Sequence, residues 1–138
     1  MIKLSYGNQE VFFVTETTRL KRDQIKLRLK LKIGDDAIGP GKASLLKNIR
    51  KHGSISAAAR DMGINYRRAW FLLETINTAL GQPVVKTEKG GKAGGGATLT
   101  AAGTAIIDAF DACSRAADAS TEDLLAGLHQ SLATTNKE

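Results

Sequence analysis

Only Gly63 and Ile64 separate Met62 from Asn65, and the chain has a helical pattern on either side of them. Ala57–Met62 is a short alanine-rich stretch with Ser56 as its expected N-cap, a hydroxyl that can accept from a free amide one turn in. Gly63 stops it, and Asn65 caps a second helix expected from Tyr66 to about Leu80. In that helix Ala69, Leu72, Leu73, Ile76 and Leu80 form one apolar stripe of period 3.6. Helices joined by so short a turn must cross steeply and pack closely, which suits Ala58 and Ala59 against Ala69. A helix-turn-helix that enters a DNA groove has this pattern, and so does a generic helical hairpin.

The face opposite the stripe bears on that choice. Arg67, Phe71, Glu74 and Thr78 point away from the core, with Arg68 and Trp70 flanking. Two arginines in the first turn oppose the helix dipole, so local stability does not account for them. Arg67 can read a guanine edge with two hydrogen bonds while Arg68 clamps a phosphate. Phe71 suits a thymine methyl. Tyr66 and Trp70 suit backbone contact or, equally, the margin of the core.

Two strand-like segments follow, Pro83–Glu88 and Ala97–Leu99, around an eight-residue tip with five glycines. Such a tip cannot pack, but it allows close backbone approach to a surface. With Lys86, Lys89 and Lys92 it reads as a basic wing for phosphates or a minor groove rather than a linker. Upstream, Leu27, Leu29, Leu31 and Ile33 alternate with Lys26, Arg28, Lys30 and Lys32, the pattern of a half-buried strand with a charged, aggregation-resistant face. Gly34-Asp35-Asp36 is a turn, and Pro40-Gly41 leads into a helix that ends at His52 before Gly53. Gly41-Lys42 does not open a phosphate-binding loop, because Asp36 stands where that loop needs glycine and Ala43 where it needs Ser or Thr.

Charge is concentrated in the middle of the chain. Residues 41–97 carry 10 basic against 3 acidic side chains, while residues 98–138 carry 2 against 6. A basic segment suits a polyanion partner, although a solvated lysine-rich surface has the same composition.

The order strand, helix, helix-turn-helix, glycine-rich wing and long helix resembles the DNA-binding domain of the ModE family of molybdate-responsive transcriptional regulators. The resemblance rests on Gly39-Pro40-Gly41-Lys42, Gly53–Ala59, Met62–Trp70 and Gly90–Thr100, and covers about residues 26–115. LysR-type regulators are similar more distantly. The resemblance implies a winged helix-turn-helix homodimer on double-stranded DNA, with the helix from Tyr66 as recognition helix. Full-length members carry molybdate-binding domains after the long helix, where only residues 120–138 remain here. The DNA-binding domain alone, without molybdate binding, is therefore the expectation.

The expected fold is α+β and mainly α. Residues 1–25 are hard to read beyond a possible strand at Val11–Val14; residues 26–100 form the winged domain, and residues 101–138 the dimerising helices. Thr100 caps the first of these, to about Ala119, with Gly103, Ile106, Phe110, Cys113 and Ala117 as a heptad-like seam. Ser120 or Thr121 caps another, carrying Leu125, Leu128 and Leu132. These stripes can cover the winged domain itself, but two of them exceed what one small domain needs.

The DNA-contacting set is Ser56, Asn65, Tyr66, Arg67, Arg68, Trp70, Phe71, Lys86, Lys89 and Lys92. The dimerising set is Ile106, Phe110, Cys113, Ala117, Leu125, Leu128 and Leu132. No cofactor, metal site or catalytic centre is expected. One cysteine and two histidines, His52 and His129, make neither a disulfide nor the usual zinc site, and acids such as Asp108 and Asp111 are scattered on a helix exterior. Neither a signal peptide nor a membrane span is apparent, so a cytoplasmic protein is expected.

Overall fold

The computed structural model describes residues 2–6, 9–13, 20–90 and 95–135. Among the described residues it is a mainly helical α+β chain with three small antiparallel strand pairs and one long C-terminal helix. The chain divides into two compact units, Leu27–Ser120 and Met1–Lys26 together with Thr121–Glu138. The first unit thus takes in twenty residues that the sequence assigned to a separate dimerising segment.

In the larger unit, β3 (Leu31–Ile33) and β4 (Asp36–Ile38) pair through the two-residue turn Gly34-Asp35, with Ile33 opposite Asp36 and Leu31 opposite Ile38. Gly34 has φ +57°, the left-handed value that such turns ask of glycine. The strand is shorter than the alternation from Leu27 predicts. Its partner ends at Ile38 because Pro40 begins a helix, so Leu27 and Leu29 have no ladder to join, and Leu27 is exposed.

Helix α1 (Pro40–His52) starts on proline, whose missing N–H costs nothing at the first turn, and ends on Gly53 at φ +64°. Lys42 binds Asp36 through its ammonium group, so the lysine of Gly41-Lys42 is engaged in an ion pair. Helix α2 (Ile55–Asp61) is capped by Ser54, whose Oγ accepts from the Ala57 amide at 3.2 Å. This corrects the expectation of a Ser56 cap. The helix begins two residues earlier because Ile55 turns inward as part of the core, leaving Ser56 exposed in the first turn.

Helix α3 (Tyr66–Leu80) follows the predicted bounds, with Asn65 Oδ1 accepting from the Arg68 amide at 2.7 Å. Ala69, Leu73 and Ile76 are buried, and Leu72 and Leu80 pack partly buried against the same core. The turn between α2 and α3 is closed by the Ile64 amide on the Ala59 carbonyl at 3.0 Å, and Gly63 has φ +67°.

Strands β5 (Val85–Thr87) and β6 (Ala97–Leu99) pair with Val85 opposite Leu99. Above them Thr100 N–H donates to Val84 O at 3.0 Å, and Val84 N–H donates to Asn77 Oδ1 at 2.9 Å. The Ala97 amide donates to Gly53 O at 2.8 Å, which ties the hairpin to the end of α1.

Helix α4 (Ala101–Thr135) is continuous, a correction to the two helices expected. Neither Gly nor Pro interrupts it near residue 120. Ser120 does not cap, since its hydroxyl bonds back to Ala117 O at 3.3 Å, a contact a helix interior accommodates. Thr100 does cap the helix, accepting from the Gly103 amide at 3.2 Å. Gly103, Ile106, Ile107 and Phe110 are buried in the core of the same chain. Ile106 and Phe110 are therefore withdrawn from the dimerising set. Their stripe covers the larger unit, the alternative the pattern left open. Lys47–Asp111 and Arg50–Asp108 ion pairs flank this contact between α1 and α4, giving those aspartates a structural partner. Cys113, expected as a packed hydrophobe, is exposed.

In the smaller unit β1 (Ile2–Tyr6) and β2 (Gln9–Phe13) form a hairpin, so the apolar run at Val11 is a strand, with Val14 outside the described residues. Arg22 holds Glu122 through its carboxylate at 3.1 Å and its carbonyl at 3.3 Å, and His129 Nε2 meets Leu20 O at 2.8 Å. Among the described residues no helix is long and apolar enough to cross a membrane.

Candidate functional site

The start of α3 presents Tyr66, Arg67 and Arg68 to solvent. Their orientation begins at Asn65. Its cap satisfies the Arg68 amide and fixes the first turn, while Ala69, one step beyond, is fully buried and sets the rotation of the helix. Asn65 thus uses its side-chain oxygen to position the turn. Tyr66 stands edge-on to Trp70 with ring centroids 6.1 Å apart and planes at 81°. Trp70 is half-buried against the core, so it anchors the tyrosine and keeps one edge outside.

Beside these rings lies a groove of about 250 Å³. Ser54 and Ser56 line it from the start of α2, Tyr66 and Trp70 from α3, and Glu88 and Lys89 from the β5–β6 hairpin. Sequence reasoning singled out Ser56, Tyr66, Trp70 and Lys89 and missed Ser54 and Glu88. Ser54 was legible as a cap once Ile55 was recognised as core. Glu88 carried no signal, since only the hairpin register brings it opposite α3.

Glycine has a defined role on the hairpin side. The Glu88 amide donates to Gly96 O at 2.9 Å, one pair beyond the strands. A side-chain carbon on Gly95 would stand 2.9 Å from Glu88 O, closer than such atoms approach, so this wall of the groove needs glycine. Lys86 and Lys89 are exposed, and Lys92 lies outside the described residues.

The remaining predicted residues sit elsewhere. Phe71 is exposed on the outer side of α3, with the Arg68 guanidinium 5.3 Å from its ring centroid, and it does not line the groove beside Trp70. It lines a second groove with Asp35, Asp36 and Glu74. Leu125 is half-buried, while Leu124, Leu128 and Leu132 are exposed on α4, and Ala117 is half-buried. The Asp36 carboxyl is held below the usual carboxylate range, chiefly by the hydrogen bond from Lys42, against the opposing effect of burial. Among the described residues no group of His, Cys, Asp or Glu is placed to hold a metal ion.

What the site offers chemically is a capped helix start with two outward guanidinium groups, next to a groove whose far wall carries a lysine. Such an arrangement suits anionic and hydrogen-bonding surfaces.

Comparison with known proteins yields a consistent class, molybdenum-related regulators and binding proteins. The chain is homologous to the ModE regulators and the Mop proteins. It is 43% identical over 95 residues to the molybdenum-pterin-binding protein MopB of Rhodobacter capsulatus, covering 69% of this chain and 34% of that protein. It is 40% identical over 87 residues to the DNA-binding transcriptional dual regulator ModE of Escherichia coli K12, covering 63% and 32%. ModE of Haemophilus influenzae is 34% identical over 96 residues, covering 70% and 37%. The chain spans about a third of the length of these relatives. No family model matches it. Because the Mop relatives are named for molybdenum-pterin binding, the expectation of a chain without molybdate binding is not carried forward.

Proposed function

We propose that this protein is a sequence-specific DNA-binding transcriptional regulator of ModE type, acting as a cytoplasmic homodimer and not as an enzyme. In this reading Leu27–Ser120 is a winged helix-turn-helix, α3 is the recognition helix and the β5–β6 hairpin is the wing. The observation that carries it is the paired arginines on a helix start held by Asn65. Arg67 and Arg68 have no role in the core, oppose the helix dipole, and stand exposed beside a groove bordered by Lys89. The homology to ModE proteins, one of them named as a DNA-binding regulator, supports the same reading.

Arg67 reads a base edge in the major groove, and Arg68 and Tyr66 meet the backbone. Lys86, Lys89 and Lys92 neutralise phosphates beside it or reach into the minor groove. Ser56 and the free edge of Trp70 complete the contact, and Asn65 positions it. Cys113, Ala117, Leu125, Leu128 and Leu132 remain the proposed dimer contact, with exposed Leu124 beside them. No cofactor is needed for this binding.

Selection from a random duplex pool at physiological salt tests the proposal. An enriched inverted repeat with half-sites about one helical turn, roughly 34 Å, apart is expected. Retention without enrichment would leave a nonspecific DNA binder, and no retention would overturn the reading.

A further inference from the structure

The outer side of α3 changes sign along its length. Arg67 and Arg68 occupy the first turn, but beyond Phe71 the solvent face is Glu74 and Thr78. Across from these the β3–β4 hairpin places Asp35 in its turn and Asp36 at the start of β4. Together with Phe71, Thr75 and Ala79 they line a groove of about 510 Å³ that shares no residue with the one at the β5–β6 hairpin.

We propose that this second groove is a docking site for a cationic, amphipathic segment of a protein partner. The partner lays an apolar side chain on Phe71 and sets lysines or arginines against Glu74 and Asp35. Charge complementarity argues for that occupant. The Asp36 carboxylate is engaged by Lys42, but Glu74 and Asp35 are exposed and in no ion pair among the described residues. Both lie in a chain whose net charge is +6, so a local negative field here runs against the whole. Phe71, 55% exposed, supplies a rigid aromatic surface of the kind that anchors protein contacts. Its ring already carries one cation, the Arg68 guanidinium, 5.3 Å from the centroid. The same carboxylates repel a phosphate backbone, so Phe71 leaves the DNA-contacting set and serves the partner instead. The inference rests on the groove alone and stands whether or not α3 reads DNA.

Titrating the isotope-labelled full chain with a short lysine–leucine amphipathic peptide, and with its glutamate–leucine counterpart, provides the test by amide chemical shifts. The lysine peptide is expected to move Asp35, Phe71, Glu74 and Thr78, and the glutamate peptide to leave them in place. Glu74→Lys combined with Asp35→Lys should weaken binding about tenfold, and Phe71→Ala several-fold. All three positions are exposed or at the groove surface, and the spectrum of each variant reports its fold. Shifts confined to other acidic surfaces, or equal affinity in the double variant, would overturn the proposal.

Discussion

A side-chain carbon at Gly103 would stand 2.2 Å from the carbonyl oxygen of Val84. That oxygen cannot move away, because it accepts the Thr100 amide at 3.0 Å while the Val84 amide is held by Asn77 at 2.9 Å. The close approach sets the start of α4 against Val84 and Leu99, and Ile107 and Phe110 are buried further along the same helix. Replacing a helical glycine by alanine normally gains about 0.5–1 kcal/mol. Here the sign should reverse, with Gly103→Ala losing about 1–3 kcal/mol from overpacking. Gly127→Ala, in the same helix with nothing within 4 Å, should be neutral or stabilising. Thermal unfolding of both variants checks the pair; equal midpoints would refute the clash.

The two serines before and within α2 make a second contrast. Ser54 caps the helix and Ser56 does not, although both border the groove. Ser54→Ala should cost about 1 kcal/mol of stability in chemical denaturation, and Ser56→Ala only a few tenths. The reverse order would restore the Ser56 cap.

Base reading and phosphate contact predict different signatures. Arg67→Ala should lose about 1–3 kcal/mol on the selected operator and little on random duplex, relaxing specificity at one position. Lys89→Ala should weaken both alike and flatten the salt dependence by roughly one unit in log–log slope. Binding isotherms at several salt concentrations separate them. An equal loss on both duplexes for Arg67→Ala would count against base reading.

Asp36 gives the larger unit a pH dependence of known sign. Its folded pKa lies below the ordinary value because Lys42 donates to the carboxylate. A depressed folded pKa means that the stabilisation is present above the unfolded value of about 3.9 and is lost as pH falls through the folded one. Stability should therefore decline below about pH 4, and Asp36→Asn should reduce that slope while lowering stability at neutral pH. Denaturation midpoints across this range measure it, and an unchanged slope in the variant would exclude Asp36 as a source.

The local rules were legible in the chain. The stripe on α3, its Asn65 cap, the glycine stops at Gly53 and Gly63, and β6 each depend on residues within a turn or two, where spacing and capping chemistry dominate. What failed depended on distant partners. The alternation from Leu27 does not extend a strand because β4 offers only three residues to pair with. The seam on α4 reads as a coiled-coil face, yet Ile106 and Phe110 are taken by the core of the same chain and Cys113 is left outside. A periodic apolar face states that a helix must be covered and leaves open by what. Glu88 and Ser54 at one groove, and Asp35 opposite Glu74 at the other, meet only because separate elements fold together. The sequence by itself determined which helices form, where they are capped and which way Arg67 faces, all matters of short-range geometry. Tertiary structure decided which apolar surfaces are used up inside the chain and which charges share a groove, because those are set by packing between segments that the sequence separates.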